Sequence, residues 1–321
     1  MIKVSVCIPI YGVEKYIERC ARSLFEQTML DGIEFIFVND CTKDRSIEIL
    51  ERVLTEYPQR QAQTRIIHHK TNGGLVAARK TGLRHAQGDY IAHCDSDDWV
   101  EKNMYEVMYK KAISSNADMV YCDYCTDLGA KKIIHKLKSI SQPDKFLFYL
   151  TSDQEYMSVW AKIYKRSIYQ AVLPKLDNAL CMNEDFICNF YALQHCKTIS
   201  HIPIPLYHYF LNISSMSKVW KREYVENLLQ IHYIVASQVQ EGKCPQRCQW
   251  AYEQFILFAF LRHPEIIGKR EFSLYRKKFF RSMFIWAPMT LVRRIYLIMG
   301  FLFYPLVRLM LKCEKILRQH K

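Results

Sequence analysis

The sequence predicts an α/β protein: a doubly wound, mostly parallel sheet followed by a helical carboxyl-terminal extension. Three observations carry this expectation. Short apolar runs of strand length alternate with segments of helical period through the first 125 residues. Polar clusters fall where those runs end, the edge at which open α/β sheets bind ligands. From about residue 129 the alternation gives way to helical patterns.

The predicted strands cover residues 4–9, 33–39, 64–68, 90–94 and 119–124, each a short run rich in Val, Ile, Phe, Tyr or Met. The predicted helices between them cover residues 13–27, 44–57, 73–86 and 102–115. In the first, Ile17, Cys20 or Ala21, Leu24 and Phe25 recur at steps of three and four, which is one helix face. Strand–helix–strand connections of this kind imply parallel pairing. Beyond them, residues 146–150, 187–193, 225–240, 249–261 and 272–286 read as helices, and 199–204 as extended chain. The expected divisions are 1–125, 126–220 and 221–321, the last helical and basic. No internal repeat or low-complexity tract interrupts them.

Half of the 321 residues are apolar, 24% are charged and 13% are aromatic, a globular composition that excludes disorder over most of the length. The chain opens on a strand pattern, not on a charged-then-apolar leader, so no secretory signal is expected. Its twelve cysteines are scattered, and the two close pairs, Cys122 with Cys125 and Cys244 with Cys248, lack zinc-site spacing to further ligands. Reduced cysteines packed as small apolar residues, in the cytosol, are the expectation. The net charge of +13 is concentrated: residues 269–321 hold thirteen Lys and Arg against two Glu, a net of +11, so the rest of the chain carries +2. Basic residues interleaved with apolar and aromatic ones suit an anionic membrane surface better than nucleic acid. Within this tail, residues 295–307 lack charge, flanked by Arg293, Arg294 and Arg308. Thirteen residues fall short of the about 20 that a spanning helix requires, so the segment is expected to lie at the interface.

The sharpest chemical signal is Cys-Asp-Ser-Asp-Asp-Trp at residues 94–99. Asp95, Asp97 and Asp98 place three carboxylates within four positions after a buried strand, and their mutual repulsion favours a hard divalent cation, Mg2+ or Mn2+. A solvated turn or helix cap is the competing reading. A second acidic pair, Glu184-Asp185, opens a helical stretch. There a carboxylate could take a proton from an attacking hydroxyl, or simply complement the helix dipole. Gly73 and Gly74 lead into a helix bearing Arg79, a place for a phosphate or a base edge if Arg79 is not merely a surface residue.

Taken in order, residues 4–17 (VSVCIPIYGVEKYI), 35–46 (FIFVNDCTKDRS), 72–83 (NGGLVAARKTGL) and the acidic cluster resemble the inverting glycosyltransferases of family 2, with the type A (GT-A, Rossmann-like) nucleotide-sugar fold. The resemblance is close over residues 3–125 and looser over 158–217. It implies a donor site at Pro9, Tyr11, Glu14, Asp40, Arg79 and Asp97, with Tyr11 stacking on a base and Asp40 reading the imide face of uracil. Capping of the next helix is the alternative for Asp40, although Thr42 or Asp44 could serve equally. The resemblance further implies Asp98 as metal ligand, with Asp97 contacting metal or ribose, and Asp95 in support. Asp185 is implied as catalytic base, with Glu184 and Trp160 on the acceptor side. His208 approaches the diphosphate or is simply packed.

The chain departs from the family pattern at several positions. Gly12 and Lys80 stand where Asn is usual, Asn39-Asp40-Cys41 replaces Asp-Asp-Gly, and Phe210 and Leu211 stand where an arginine clamp is common. The expected activity is transfer of a sugar from a nucleotide-diphosphate donor, a UDP-sugar by the reading of Asp40, to a saccharide or lipid-linked acceptor. The expected place is the inner face of a cell membrane. A non-catalytic nucleotide-sugar-binding protein, a nucleotidyltransferase and a nucleic-acid binder are the rivals. The residues after the first strand are not a glycine-rich phosphate loop, and the body's small net charge argues against nucleic acid.

Overall fold

The computed structural model describes residues 1–129, 131–177, 183–211, 221–263, 265–285, 287 and 291–302. Expectations for residues 212–217, 286 and 303–321 lie outside the described residues. The chain divides into two compact units, residues 1–143 with 158–215 and residues 144–157 with 216–321.

The first unit begins with strand β1 (Val4–Ile10), helix α1 (Ile17–Phe25), β2 (Ile33–Asn39), α2 (Ser46–Thr55), the short α3 (Pro58–Gln61), β3 (Thr64–His68), α4 (Leu75–His85) and β4 (Tyr90–His93). β2, β1 and β4 are almost wholly buried. Continuous apolar strands of this kind suit a parallel sheet covered on both faces. α1 buries Ile17, Cys20, Ala21, Leu24 and Phe25, the face its periodicity marks. The helix is shorter than expected because residues 12–14 form a loop. Their backbone N–H groups donate to Thr42 Oγ1, Ser46 Oγ and Asp44 Oδ2 instead of starting a helix. At Gly88 a Cβ would lie 2.6 Å from the Ser5 backbone nitrogen, so only glycine lets the chain enter β4 here.

Next come β5 (Trp99–Val100), α5 (Met104–Ser114), β6 (Met119–Asp127) and β7 (Lys132–His135). Helix α6 (Pro143–Leu150) leads into the second unit, and the chain returns with β8 (Lys162–Lys165), α7 (Arg166–Val172), α8 (Glu184–Leu193) and β9 (Ile199–Phe210). Among the described residues the strands form one nine-stranded sheet in the order β3-β2-β1-β4-β8-β6-β9-β5, with β7 on β6. β3, β2, β1 and β4 are parallel, as are β6 and β9. The fold class is the expected one. β8 enters antiparallel between β4 and β6, β7 pairs antiparallel with β6, and β5 with β9. These two- to four-residue strands are too short to leave a period in the sequence.

The second unit is helical, with α9 (Arg222–Gln240), α10 (Gln246–Arg262), α11 (Lys269–Lys278) and α12 (Leu291–Leu302). α10 is buried along most of its length, from Cys248 to Leu261. His232 of α9 pairs with Glu253 of α10 at 3.0 Å, and a Cβ at Gly300 of α12 would collide with Leu261 at 2.7 Å. Apolar side chains remain exposed beside cations: Leu274 on α11, Phe280 after it, and Ile295 and Ile298 next to Arg293 and Arg294 on α12. Among the described residues no helix is long and apolar enough to cross a membrane.

Candidate active site

The carboxyl ends of β1, β2 and β4 bring the expected residues to one edge of the sheet. Pro9 lies near the end of β1, and Tyr11, 55% exposed, presents its ring just beyond. Asp44 holds this loop. Burial would raise its carboxyl, but hydrogen bonds from Ser46, Thr42 and the Glu14 backbone outweigh burial and keep it below the ordinary range. The Glu14 carboxylate is solvent-facing and accepts from the Arg45 backbone N–H at 3.2 Å.

Asp40 departs from expectation. It is buried, and its Oδ1 meets His69 Nδ1 at 2.7 Å and accepts from Gly73 N at 2.8 Å, while Oδ2 accepts from Gly74 N at 2.7 Å. Gly74, in the left-handed region at φ +83°, lets the two successive N–H groups turn to one carboxylate. Asp40 therefore holds the two N–H groups that lead into α4, not the next helix α2 that was the alternative for it. Asn39, one residue earlier, faces His68 through its Nδ2 at 3.1 Å.

The acidic turn also sorts its carboxylates differently. Asp98 is completely buried, accepting from Tyr207 OH at 2.6 Å and from Phe210 N at 2.7 Å. Burial, with Asp97 and Asp95 nearby, raises its carboxyl well above the usual range against those two hydrogen bonds. Asp98 is thus a strut between the turn and β9 and is not presented as a metal ligand. Asp95, 27% exposed, and the partly exposed Asp97 are the carboxylates that reach the cleft. Arg19, missed in the sequence, fixes the turn by donating to the Asp97 carbonyl at 2.9 Å while its guanidinium lies 3.8 Å over the Trp99 ring.

Arg79 joins the two acidic motifs. Its side chain is 4% exposed and turns inward from α4, away from the glycine-rich loop. Nη2 stands 3.0 Å from Asp185 Oδ1, 3.2 Å from Asp95 Oδ1 and 3.6 Å from Glu184 Oε1. Burial opposes its charge, but Asp185, Asp95 and Glu184 outweigh burial and raise the guanidinium above its ordinary value. In turn, burial and the neighbouring Asp185 push Glu184 up to about 8 against Arg79. Burial, opposed by Arg79 and helped by Asp185 and Asp97, lifts Asp95 to about 6. Behind Arg79, His93 is fully buried at the end of β4, its imidazole kept neutral by burial and by the Arg79 charge.

Asp185 sits in the first turn of α8, after Asn183 in the left-handed conformation at φ +61°. Its Oδ2 accepts from Val159 N at 3.3 Å. Trp160, the next residue, is buried in an aromatic pile, stacked on Tyr207 at 4.7 Å and on Tyr209 at 5.6 Å. Tyr207 therefore supports both Trp160 and Asp98. His208 is the packed histidine: its ring lies parallel to Trp99 at 5.0 Å and its Nε2 meets Glu101 at 2.7 Å. Among the described residues no three His, Cys, Asp or Glu side chains form a closed metal cage. Asp95 and Asp97 are the partly exposed carboxylates of the acidic turn, and carboxylates are donors that Mg2+ or Mn2+ can share with the oxygens of a diphosphate.

Comparison with known proteins shows the family and the fold. Residues 5–173 match the family model described as glycosyl transferase family 2. The chain is 31% identical to the glycosyltransferase EpsJ of Bacillus subtilis over 246 residues, 72% of this chain and 67% of that protein. It is 31% identical to the putative glycosyltransferase EpsH of the same organism over 79% of this chain and 74% of that one. Among solved structures, Staphylococcus aureus TarS 1–349 in complex with UDP-GlcNAc superposes with a TM-score of 0.63 at 19% identity, over 94% of this chain and 80% of that one. The mannosyltransferase PcManGT from Pyrobaculum calidifontis, in complex with GDP-Man and Mn2+, gives 0.57 at 15% identity over 98% and 86%. Joined to the paired acidic motifs on a parallel sheet edge, these matches make the chain a member of glycosyl transferase family 2, and a glycosyltransferase.

Proposed function

We propose that the protein is an inverting glycosyltransferase that moves a sugar from a nucleotide diphosphate, a UDP-sugar, to an acceptor hydroxyl in surface polysaccharide or glycolipid synthesis. The observation that carries this reading is Arg79, whose single Nη2 holds the cleft-facing Asp95 and Asp185 within 3.2 Å of one guanidinium. A diphosphate anchored at the acidic turn and a base at the start of α8 then act on the same small volume. The UDP donor rests on the likeness to TarS, which binds UDP-GlcNAc, because Asp40 is committed to α4.

Asp185 takes the proton from the acceptor hydroxyl as its oxygen attacks the anomeric carbon, and the nucleoside diphosphate leaves from the opposite face with the bonding electrons. One displacement inverts the anomeric centre, and no covalent enzyme intermediate forms. Arg79 holds Asp185 Oδ1, and Val159 N–H holds Oδ2, so the base is oriented before the acceptor arrives. Asp95 and Asp97 would hold a Mg2+ or Mn2+ ion, whose charge offsets that of the departing diphosphate. Tyr11 offers a face to the base of the nucleotide, and Trp160 lies beside the base on the acceptor side. The exposed apolar and basic residues of the second unit dock the enzyme on the anionic inner face of the membrane, where a lipid-linked acceptor is presented.

The test is thermal shift with UDP, GDP and their sugars, with Mn2+, Mg2+ or chelator, on wild type, Asp97→Ala and Asp185→Asn. The expected result is a metal-dependent shift with one nucleotide, lost in Asp97→Ala and kept in Asp185→Asn, which no longer transfers sugar. A folded protein that responds to no nucleotide sugar would refute the reading.

A further inference from the structure

Lys162 is a buried ammonium that the site described above does not use. It lies on β8, 2% exposed, and forms no ion pair among the described residues. Its Nζ donates to the Ser158 carbonyl and approaches Ser158 Oγ at 3.4 Å. Burial pushes it down to about 8, and Asp185 is the carboxylate whose charge most opposes that fall. A cation buried without a counter-ion is costly, and a protein that only needed to fill the space would place an apolar side chain there.

What Lys162 grips is the turn that serves Asp185. The Ser158 carbonyl also accepts from Asn189 Nδ2 at 2.9 Å, and the same Nδ2 reaches the Asp185 carbonyl at 3.0 Å. Tyr164 OH holds the other end of the Asn189 amide at 2.6 Å. Val159, next in sequence, supplies the N–H to Asp185 Oδ2. The charged groups acting around this carboxylate are Arg79 from α4, Glu184 beside it on α8, Asp95 from the acidic turn, and Lys162.

We propose that Lys162 is a positioning residue for transfer: its ammonium holds the Ser158 carbonyl and so locks the Ser158–Val159 turn, whose Val159 N–H holds Asp185 Oδ2. This rests on the reading of Asp185 as the base.

The experiment uses the full chain as Lys162→Met, Lys162→Arg and Asp185→Asn, with the nucleotide sugar that gives the largest shift in the panel above. Three quantities are read: kcat, nucleotide Kd and Tm. Lys162→Met is expected to lose about 100-fold in kcat, to keep nucleotide Kd within about twofold, and to melt above wild type because the buried charge is gone. Lys162→Arg is expected to recover most of kcat. Wild-type kcat in folded Lys162→Met overturns the proposal, as does a parallel loss of kcat, nucleotide binding and Tm, which would mark a structural residue. Activity in Asp185→Asn overturns the base assignment and this inference with it. An inactive Asp185→Asn beside a fully active Lys162→Met overturns the inference alone.

Discussion

Replacing Arg79 by methionine should destabilise the protein in a pH-dependent way. The guanidinium is buried, with three carboxylate oxygens at 3.0, 3.2 and 3.6 Å from Nη2. At an effective dielectric of about 20, each pair is worth roughly 5 kcal/mol gross, most of which offsets desolvation. Removing the one cation leaves the acids uncompensated, a loss of about 3–5 kcal/mol. The sign with pH follows from Asp95 and Glu184, already lifted to about 6 and about 8. A carboxyl raised on folding contributes stability that is complete below its unfolded value and lost as pH climbs through its folded value. Arg79 lowers both, so without it both rise further and the loss steepens. The deficit should be small at pH 5, grow as pH climbs through about 6, where Asp95 ionises, and still be growing at pH 8, where the share of Glu184 begins; a full loss corresponds to a Tm lower by roughly 10 °C. Thermal unfolding in chelator at pH 5, 6.5 and 8 measures it. A deficit below about 1 kcal/mol at pH 8, or one that does not change with pH, would show that Arg79 does not carry the acidic cluster.

Three further outcomes follow from the geometry. Tyr207→Phe removes the hydroxyl that donates to buried Asp98 and should cost about 1–3 kcal/mol in chemical denaturation, with nucleotide binding weakened far less than in Asp97→Ala. Gly88→Ala puts a methyl group against the Ser5 backbone and should cost at least about 1–3 kcal/mol, seen as a lower denaturation midpoint. The full chain should sediment with vesicles containing phosphatidylglycerol and stay in solution with phosphatidylcholine alone or at high salt; equal binding to both would remove the electrostatic part of membrane docking.

Much of the parallel block could be read from the sequence because its signals are local. A buried parallel strand is a continuous apolar run, and α1 repeats its apolar face every three or four residues. The acidic turn and Glu184-Asp185 were legible as chemistry for the same reason. The direction of each carboxylate was not. Asp98 and Asp97 are neighbours of one type, and only Tyr207 and Phe210, more than a hundred residues later, decide that one faces inward. Asp40 likewise satisfies two N–H groups more than thirty residues away, a demand invisible in its own segment. Arg79 stood out in the sequence beside the glycine pair, but its partners lie on another helix and another turn. Arg19 fixes the acidic turn through a backbone carbonyl, which carries no residue signature.

The pinning of Asp98 by β9 also sets an order of assembly. A nascent chain that has completed the parallel strands holds the whole acidic motif, yet neither donor to Asp98 exists until residues 207 and 210 are made. β8 and β9 must insert beside β4 and β6 over large sequence separations, and such pairings form slowly. Residues 1–125 are therefore not a portable module. A chimera that exchanges the rest of the first unit at residue 125 would inherit a motif with its buried carboxyl unpaired, whereas one that carries β9 along with β1 to β6 would keep it intact.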